Sequence, residues 1–522
     1  RYELSTLPPL VLLFLLPFFL YLFVFRQDQS RKPTIYGLKP YPLLGYLPQF
    51  IKNRRRFLEW TTEILLASPT RTMGFRSLGQ VSGIITADPA NVEHMLKINF
   101  RNYPKGQRTC ALLEDFLGRG IFNSDGEHWK RQRKLASHEF NTKTLRNFVV
   151  DAVQFEIQYR LLPLLKRAEE RDEVVELQDV LERFAFDNVC KVAFDADPAC
   201  LREDGFAGAN SDFMRAFGEA QFLVGWRFMD ALKVTWRIKK LLNVGSERRI
   251  KEAISIVHNY ASDIIRSRRE RPLDQKSDLL SRFASCDDHS EEFLRDIVIS
   301  FLLAGRETTS SALTWFFWIV STRPDVEMKI VEEIKSIRTR NPNSSKTFSF
   351  DELREMHYLH AAISESMRLY PPVPMDTQSC EEDDTMPDGT FVGKGWFVTY
   401  SAYAMGRLEN IWGKDCEEYK PERWLENGVF RPESPFRYPV FHAGPRMCLG
   451  KEMAYIQMKS IVACVFERFQ LVSVVKTKST PEHVLSLTLR MKGGLPVQYD
   501  LALLSMSIIG EACECSKKTA EQ

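Results

Sequence analysis

The sequence predicts a mainly helical protein with small β-sheets, folded as one body behind an N-terminal membrane helix. Three observations predict it. Apolar residues recur at helical spacing through most of the middle, whereas strand-like alternation is confined to short pieces at 71–87, 388–400 and 484–499. One run of 19 residues at the front carries no charge. After the connector that follows this run, the 522 residues show no second linker and no repeat.

Composition narrows the class further. The chain is 44% hydrophobic, 12% aromatic and 27% charged, enough apolar surface for a large core and too much for disorder. A net charge of +3 argues against a dedicated nucleic-acid binder or an acidic solvating tail. The ten cysteines are scattered and form no C-x-x-C pair, which excludes a disulfide scaffold and weakens zinc-ribbon and thioredoxin readings. A reduced, cytosol-facing body is expected.

Taken in order, residues 1–26 form the anchor. Leu7–Phe25 spans roughly 28 Å as a helix, close to a bilayer core. A cleaved signal peptide would want a shorter apolar region and small residues before the cut, and this stretch has no Ala, Gly or Ser. Arg26, Arg31 and Lys32 follow at once, while Arg1 on the other flank is balanced by Glu3, so the body should lie in the cytosol. Residues 27–50, with Pro33, Pro40, Pro42 and Pro48, read as a semi-rigid neck. The body is expected at 51–500, with a motif-free tail at 501–522.

Four constellations in the body carry chemistry. The strongest is Phe441–Gly450, FHAGPRMCLG, in which a cysteine sits in a glycine-bracketed loop and opens an apolar helical stretch. A helix N-terminus favours a thiolate through its dipole and free backbone N–H groups. Gly444 lets the loop turn, Gly450 lets the backbone approach something flat and large, and Arg446 suits an anionic group. The second is a buried helix opened by Ser290 as N-cap and closed before Pro324. Its centre, Ala304-Gly305-Arg306-Glu307-Thr308-Thr309, is polar, and polar groups there cost free energy unless satisfied or used. The bland alternative is Ser/Thr hydroxyls back-bonding to their own helix. The third is Glu365 and Arg368, one turn apart among apolar neighbours. The fourth is Trp129 and Arg133, which share a helical face beside Lys130, Arg131 and Lys134, a charge run that a solvated face would also explain.

These motifs resemble the cytochrome P450 family. Phe441, Gly444, Arg446, Cys448 and Gly450 match all five fixed positions of its heme loop, F-x-x-G-x-R-x-C-x-G. The resemblance implies heme b, iron protoporphyrin IX, with Cys448 as the thiolate ligand of the iron. It implies that Ala304 and Gly305 lie over the heme with room for dioxygen, that Thr308 hydrogen-bonds the oxygen and that Glu307 relays protons. It implies a triad of Glu365, Arg368 and Arg423, the last from the loop Pro421-Glu422-Arg423-Trp424. It also implies that Trp129 and Arg133 bind a heme propionate. One branch of the family carries Glu at the position of Ala304 and can esterify its heme, so no covalent link is expected here.

Electrons are expected from an NADPH-dependent flavoprotein reductase, since no dinucleotide fingerprint is evident, with the Lys130–Lys134 face as its acidic partner's docking surface. The expected location is the endoplasmic reticulum membrane, spanned once. A narrower resemblance, carried by FNSDGEHWKRQRKLASHEFNTKTLRNFV, LAGRETTSSALTWFFW, ESMRLYPPVPMD, YAMGRLENIWG and YPVFHAGPRMCLGKEMA, is to the plant fatty-acid ω-hydroxylase branch. It implies insertion of one oxygen atom at the far end of a fatty acid, in a tunnel lined by Thr109–Phe122, Ile297–Thr308 and Val373–Thr377. Hydroxylation of jasmonoyl–amino acid conjugates is the near alternative. A hydroperoxide isomerase or lyase would not need Glu307 and Thr308, a non-catalytic heme sensor would need no tunnel, and a scaffold would need no heme.

Overall fold

The computed structural model describes residues 46–501, apart from 78–79, 141–142, 203–207, 230–234, 271–277, 285–289, 342–344 and 475–479. The anticipated anchor at 1–26, the neck at 27–50 up to residue 45, and the tail beyond residue 501 lie outside the described residues. Among the described residues no helix is long and apolar enough to cross a membrane. The end of the neck departs from expectation. Leu47–Asn53 is a helix with Pro48 in its first turn, where proline's missing N–H costs nothing.

Helices dominate. Those that position the site are α1 (Gly106–Leu117), α2 (Gly126–Phe140), α3 (Leu177–Phe194), α4 (Ala209–Phe228), α5 (Gly245–Arg269), α6 (Glu291–Leu302), α7 (Thr308–Ser321), α8 (His357–Leu369) and α9 (Lys451–Arg468). Their sequences explain their ends. Ser290 caps α6 by accepting the Phe293 N–H at 3.2 Å, with Glu291 and Glu292 in the first turn. Asp195 ends α3 in the left-handed region.

The sheets are small. Strands β1 (Thr72–Ser77), β2 (Gln80–Thr86), β4 (Met375–Ser379) and β7 (Phe397–Ser401) form a four-stranded sheet in the order β1-β2-β7-β4. Only β2 and β7 pair in parallel, and Gly83 is required where they meet, since a Cβ there would lie 2.0 Å from the Phe397 carbonyl oxygen. The two-residue strand β3 (Val175–Glu176) joins β10 (Phe469–Ser473) and β13 (Pro496–Leu501) in a second sheet. β11 (His483–Leu485) and β12 (Leu489–Met491) make a hairpin. Two further ribbons pair β5 (Asp384–Thr385) with β6 (Phe391–Val392) and β8 (Leu425–Glu426) with β9 (Val429–Phe430).

Two apolar clusters make the core. One gathers α7, α8 and α9 around Trp315, Phe316 and Phe317, each worth roughly 1.5–3 kcal/mol of burial. The other gathers α1, α4, α5 and α6 around Phe116, Phe217, Val298 and Leu302. α6 and α7 read as one helix in the sequence. They belong to different clusters, joined by the π-helical turn Leu303–Glu307. The polar motif of the second constellation falls on that junction.

Candidate active site

The loop before α9 is closed by its own backbone. The Cys448 N–H donates to the Phe441 carbonyl at 2.8 Å. Gly444 takes φ +65°, and a Cβ there would stand 1.9 Å from the Leu96 carbonyl oxygen, so glycine is demanded twice over. Gly450 is the N-cap of α9. Cys448 is the exposed one among the described cysteines, the others being buried or half-buried. Yet burial is the largest influence on its thiol and raises its pKa. The Gly450 N–H, Arg133 and Lys451 pull the other way. A side chain that is accessible and still crowded by protein faces an interior recess.

Helix α2 docks on this loop at two points and on α6 at a third. The buried Trp129 ring lies 4.4 Å under the Arg446 guanidinium. Arg133 donates to the Met447 carbonyl. Phe140 stacks on Phe301 of α6 with ring centres 5.9 Å apart and planes 14° off parallel. A Cβ added to Gly450 would lie 3.7 Å from Phe140 and 4.0 Å from Cys448 Sγ, ordinary contacts, so the polypeptide alone does not demand glycine there. Arg446 reaches Ser124 O at 2.9 Å and Asp125 Oδ1 at 2.6 Å, while its buried Nε has no hydrogen-bond partner. Lys130, Arg131 and Lys134 are exposed on the outer face.

This donor set fits a heme. It offers one sulfur receiving a backbone N–H, a glycine backbone open to a flat neighbour, and an arginine with an N–H left over for an anion.

Just after the π turn, Thr308 Oγ1 donates to the Ala304 carbonyl at 2.6 Å, the back-bonding pattern. Ser310 and Thr314 do the same toward Arg306 and Ser310, at 2.8 Å each. Gly305 differs from expectation. A Cβ there would meet Val189 of α3 at 2.5 Å, so its missing side chain admits a neighbouring helix. Arg306 is buried, with Nη1 2.6 Å from Glu307 Oε1 and Nη2 3.0 Å from Glu182 Oε2.

Glu365 and Arg368 are fully buried and joined by two bonds of 2.7 and 2.8 Å. Arg423 reaches Glu365 at 3.2 Å. The sequence reading missed two further donors to this carboxylate, Trp424 Nε1 and the Lys420 N–H, both at 2.9 Å. It also missed the carbonyls of Gly406, Cys416 and Glu418 that take the rest of Arg368.

The three expected tunnel segments come together, because α1 packs on both α6 and β4. Phe122 and Val373 are exposed. Both ends of α1 are pinned. Asp125 accepts the Lys105 and Gly106 N–H groups at 2.9 and 2.8 Å, and Asp296 accepts the Arg119 N–H at 2.8 Å. An unanticipated cluster lies beside the loop. Asp376 meets Lys105 Nζ at 2.6 Å and His442 Nε2 at 3.1 Å. Burial would raise the Asp376 carboxyl, but these two neighbours outweigh it and hold it below its usual range. His442 takes a positive φ of 60°, uncommon for a residue other than glycine, and no signal in the sequence joined it to Asp376.

The family whose model matches is Cytochrome P450, over residues 36–495. Among curated proteins, the chain is 52% identical over 475 residues to Cytochrome P450 CYP94D108 of Paris polyphylla, covering 91% of this chain and 93% of that one. It is 46% identical to Cytochrome P450 94A1 of Vicia sativa, covering 88% and 89%. It is 44% identical to Cytochrome P450 94B1 of Arabidopsis thaliana, covering 94% and 96%.

Proposed function

The chain belongs to the cytochrome P450 family, in which it is a monooxygenase of the CYP94 group, and we propose that it hydroxylates fatty acids at the terminal carbon. The observation that carries the reading is the bridge made by α2. Trp129 and Arg133 grip the loop of Cys448, while Phe140 of the same helix stacks on the wall that leads into the polar turn. One helix thus fixes a thiolate and a hydroxyl-bearing turn in a common frame.

Cys448 would hold the heme iron, and Arg446, Arg133 and Trp129 would hold its carboxylates. When bound, the group supplies dioxygen activation, with thiolate electron donation favouring O–O cleavage. The Gly450 N–H moderates the sulfur's basicity. Thr308, on leaving the Ala304 carbonyl, would hold a proton at Oγ1, and Glu307 would supply it. The Glu365 cluster keeps the segments behind the loop in place. A terminal methyl C–H bond is stronger than that of an internal methylene, so intrinsic reactivity favours the wrong carbon. The walls formed by α1, α6 and β4 must overcome this by admitting the terminal methyl alone. Electrons would come from NADPH through a flavoprotein reductase docked by Lys130, Arg131 and Lys134. The segment 1–26 would hold the body on the cytosolic side of the endoplasmic reticulum.

The test is incubation with reductase, NADPH and a panel of medium- and long-chain fatty acids plus jasmonoyl-isoleucine, with products read by mass. Oxygenation at the terminal carbon of the fatty acids is expected. Oxygenation of the conjugate alone would replace the substrate, and conversion of hydroperoxides without NADPH would overturn the oxygenase reading.

A further inference from the structure

Arg108, Leu112 and Asp115 lie along one face of α1, and the short helix Thr235–Leu242 covers that face. Lys240 of the short helix meets Asp115 Oδ1 at 2.7 Å. Arg227 of α4 donates to the Leu112 carbonyl and to Asp115 Oδ2, at 2.8 Å each, and its guanidinium stands 4.6 Å from the Trp236 ring. Trp236 is therefore on the Leu112 side and Lys240 on the Asp115 side, which sends Arg237 toward Arg108. Burial, and then the charge of Arg237, lower the Arg108 pKa, as two neighbouring cations require.

The cations of this seam are of two kinds. Arg227 and Lys240 share Asp115, Arg227 also takes Glu247, and Lys394 in the loop before β7 takes Glu382. Arg108 and Arg237 meet no carboxylate among the described residues. Arg108 is nevertheless held still. Its Nη1 donates to the Gly395 carbonyl at 2.9 Å, and its guanidinium lies 4.2 Å from the centre of the Phe397 ring on β7. That is one hydrogen bond from a group with five N–H donors. Arg108 is half-buried, whereas Gly395 and Arg237 are exposed, so the spare donors sit at the rim of the fold. A guanidinium kept only for structure spends its fork on protein, as Arg227 does.

We propose that Arg108 and Arg237 form a carboxylate clamp at the outer end of the α1 wall, and that by holding the acid group of the substrate it sets which carbon reaches the reacting position. The inference rests on the proposed function, an acid oxidised far from its carboxylate. In such a substrate the methyl end leads and the carboxylate trails at the mouth. Arg108 immediately precedes Thr109–Phe122, the segment expected to line the tunnel. The helix that carries it is pinned at both ends by Asp125 and Asp296, so the donors are presented with little ordering left to do. Arg108 supplies a fixed planar fork for the two carboxylate oxygens, and Arg237 closes over them with a second charge.

The experiment titrates holoenzyme calorimetrically with dodecanoate, methyl dodecanoate and dodecyltrimethylammonium, each below its micellar concentration. Product positions are then read by mass after turnover with reductase and NADPH. Wild type should bind dodecanoate more tightly than the ester, by a margin that shrinks as salt rises. Arg108→Ala should weaken dodecanoate about 10- to 100-fold, leave the ester within about twofold, and spread oxygenation to in-chain carbons. Arg237→Ala should act in the same sense by about threefold, as an exposed charge does. Arg108→Lys should recover part of the loss, and Arg108→Glu should prefer dodecyltrimethylammonium to dodecanoate. Each variant should keep the carbon monoxide band of the thiolate-bound heme. Should Arg108→Ala lose it, Arg108→Gln, which keeps the stem beside Phe397, carries the same readings. Equal binding of acid and ester by wild type, or unchanged dodecanoate binding in Arg108→Ala, would overturn the clamp and leave terminal hydroxylation standing. Jasmonoyl-isoleucine, titrated in parallel, identifies the source of the carboxylate. If wild type bound it and no fatty acid, and Arg108→Ala lost it, the clamp would stand and the fatty-acid reading would fall. Wild type that binds neither acid would sink both.

Discussion

Glu365 and Glu182 lie at similar depth, each faces two arginines, and their surroundings differ in one respect. Glu365 accepts from Arg368 twice, from Arg423, from the Trp424 indole and from the Lys420 backbone. Arg368 spends its remaining hydrogens on three carbonyls. Beyond Glu182, by contrast, Arg306 Nε and Gln221 Oε1 are buried without a hydrogen-bond partner, and a cavity opens beside Glu307 and Gln221. A buried ion pair repays its desolvation only when every lone pair and hydrogen is used. The saturated cluster can therefore do nothing but hold its elements together. The unsaturated one has given up stability by leaving buried polar atoms without partners.

Substitutions test that contrast, from the largest effect down. Glu365→Ala leaves the buried Arg368 guanidinium facing no carboxylate, while Arg423 keeps Asp415 at 3.1 Å, and should cost about 3–5 kcal/mol, with loss of heme. A normal carbon monoxide difference spectrum and an unchanged urea midpoint would break the comparison on its saturated side. At Glu182 the effect should depend on pH. Its folded pKa of about 7 lies above the ordinary 4.5, so the native state holds the proton more tightly. The stability this gives is fully present below pH 4.5 and is lost as pH rises through 7, up to about 3 kcal/mol. Glu182→Gln should flatten that part of the stability curve, read by denaturant midpoints between about pH 4.5 and 8. A curve parallel to wild type would show that the unsaturated cluster behaves like the saturated one. Gly305→Ala should cost about 1–3 kcal/mol by overpacking against Val189, and Val189→Ala in the same protein should recover much of it. The floor is set by Lys130 and Glu127, an exposed pair at 2.6 Å. Lys130→Ala should shift stability by no more than about 0.5 kcal/mol while weakening reductase docking, most visibly at low salt.

What was legible in the sequence had a local cause. Ser290 announces its cap, Pro324 the end of the buried helix, and the Phe441–Gly450 spacing a loop whose glycine the fold demands. The Glu365–Arg368 pair was legible because one helical turn fixes its geometry, and Arg423 followed from the resemblance. The π turn was not legible. It arises where α6 and α7 settle into different cores, a property of packing that no hydrophobic period records. Nor was Glu182. It sits among Asp179, Arg183 and Asp187 in a helix that carries no motif, and its partners are 124 and 308 residues away. The strand at Met375–Ser379 escaped because it follows a proline run and pairs with β7 across an intervening ribbon. Asp376 and His442 are too far apart along the sequence for spacing to join them.

The aspartates at the two ends of α1 make that helix a clamped beam rather than a door. Swinging either end outward would strand a carboxylate and, at the Asp125 end, also release Arg446 beside the cysteine loop. Substrate traffic must then be admitted by other walls. Loosening this beam to widen the enzyme's diet would disturb its electronics in the same stroke.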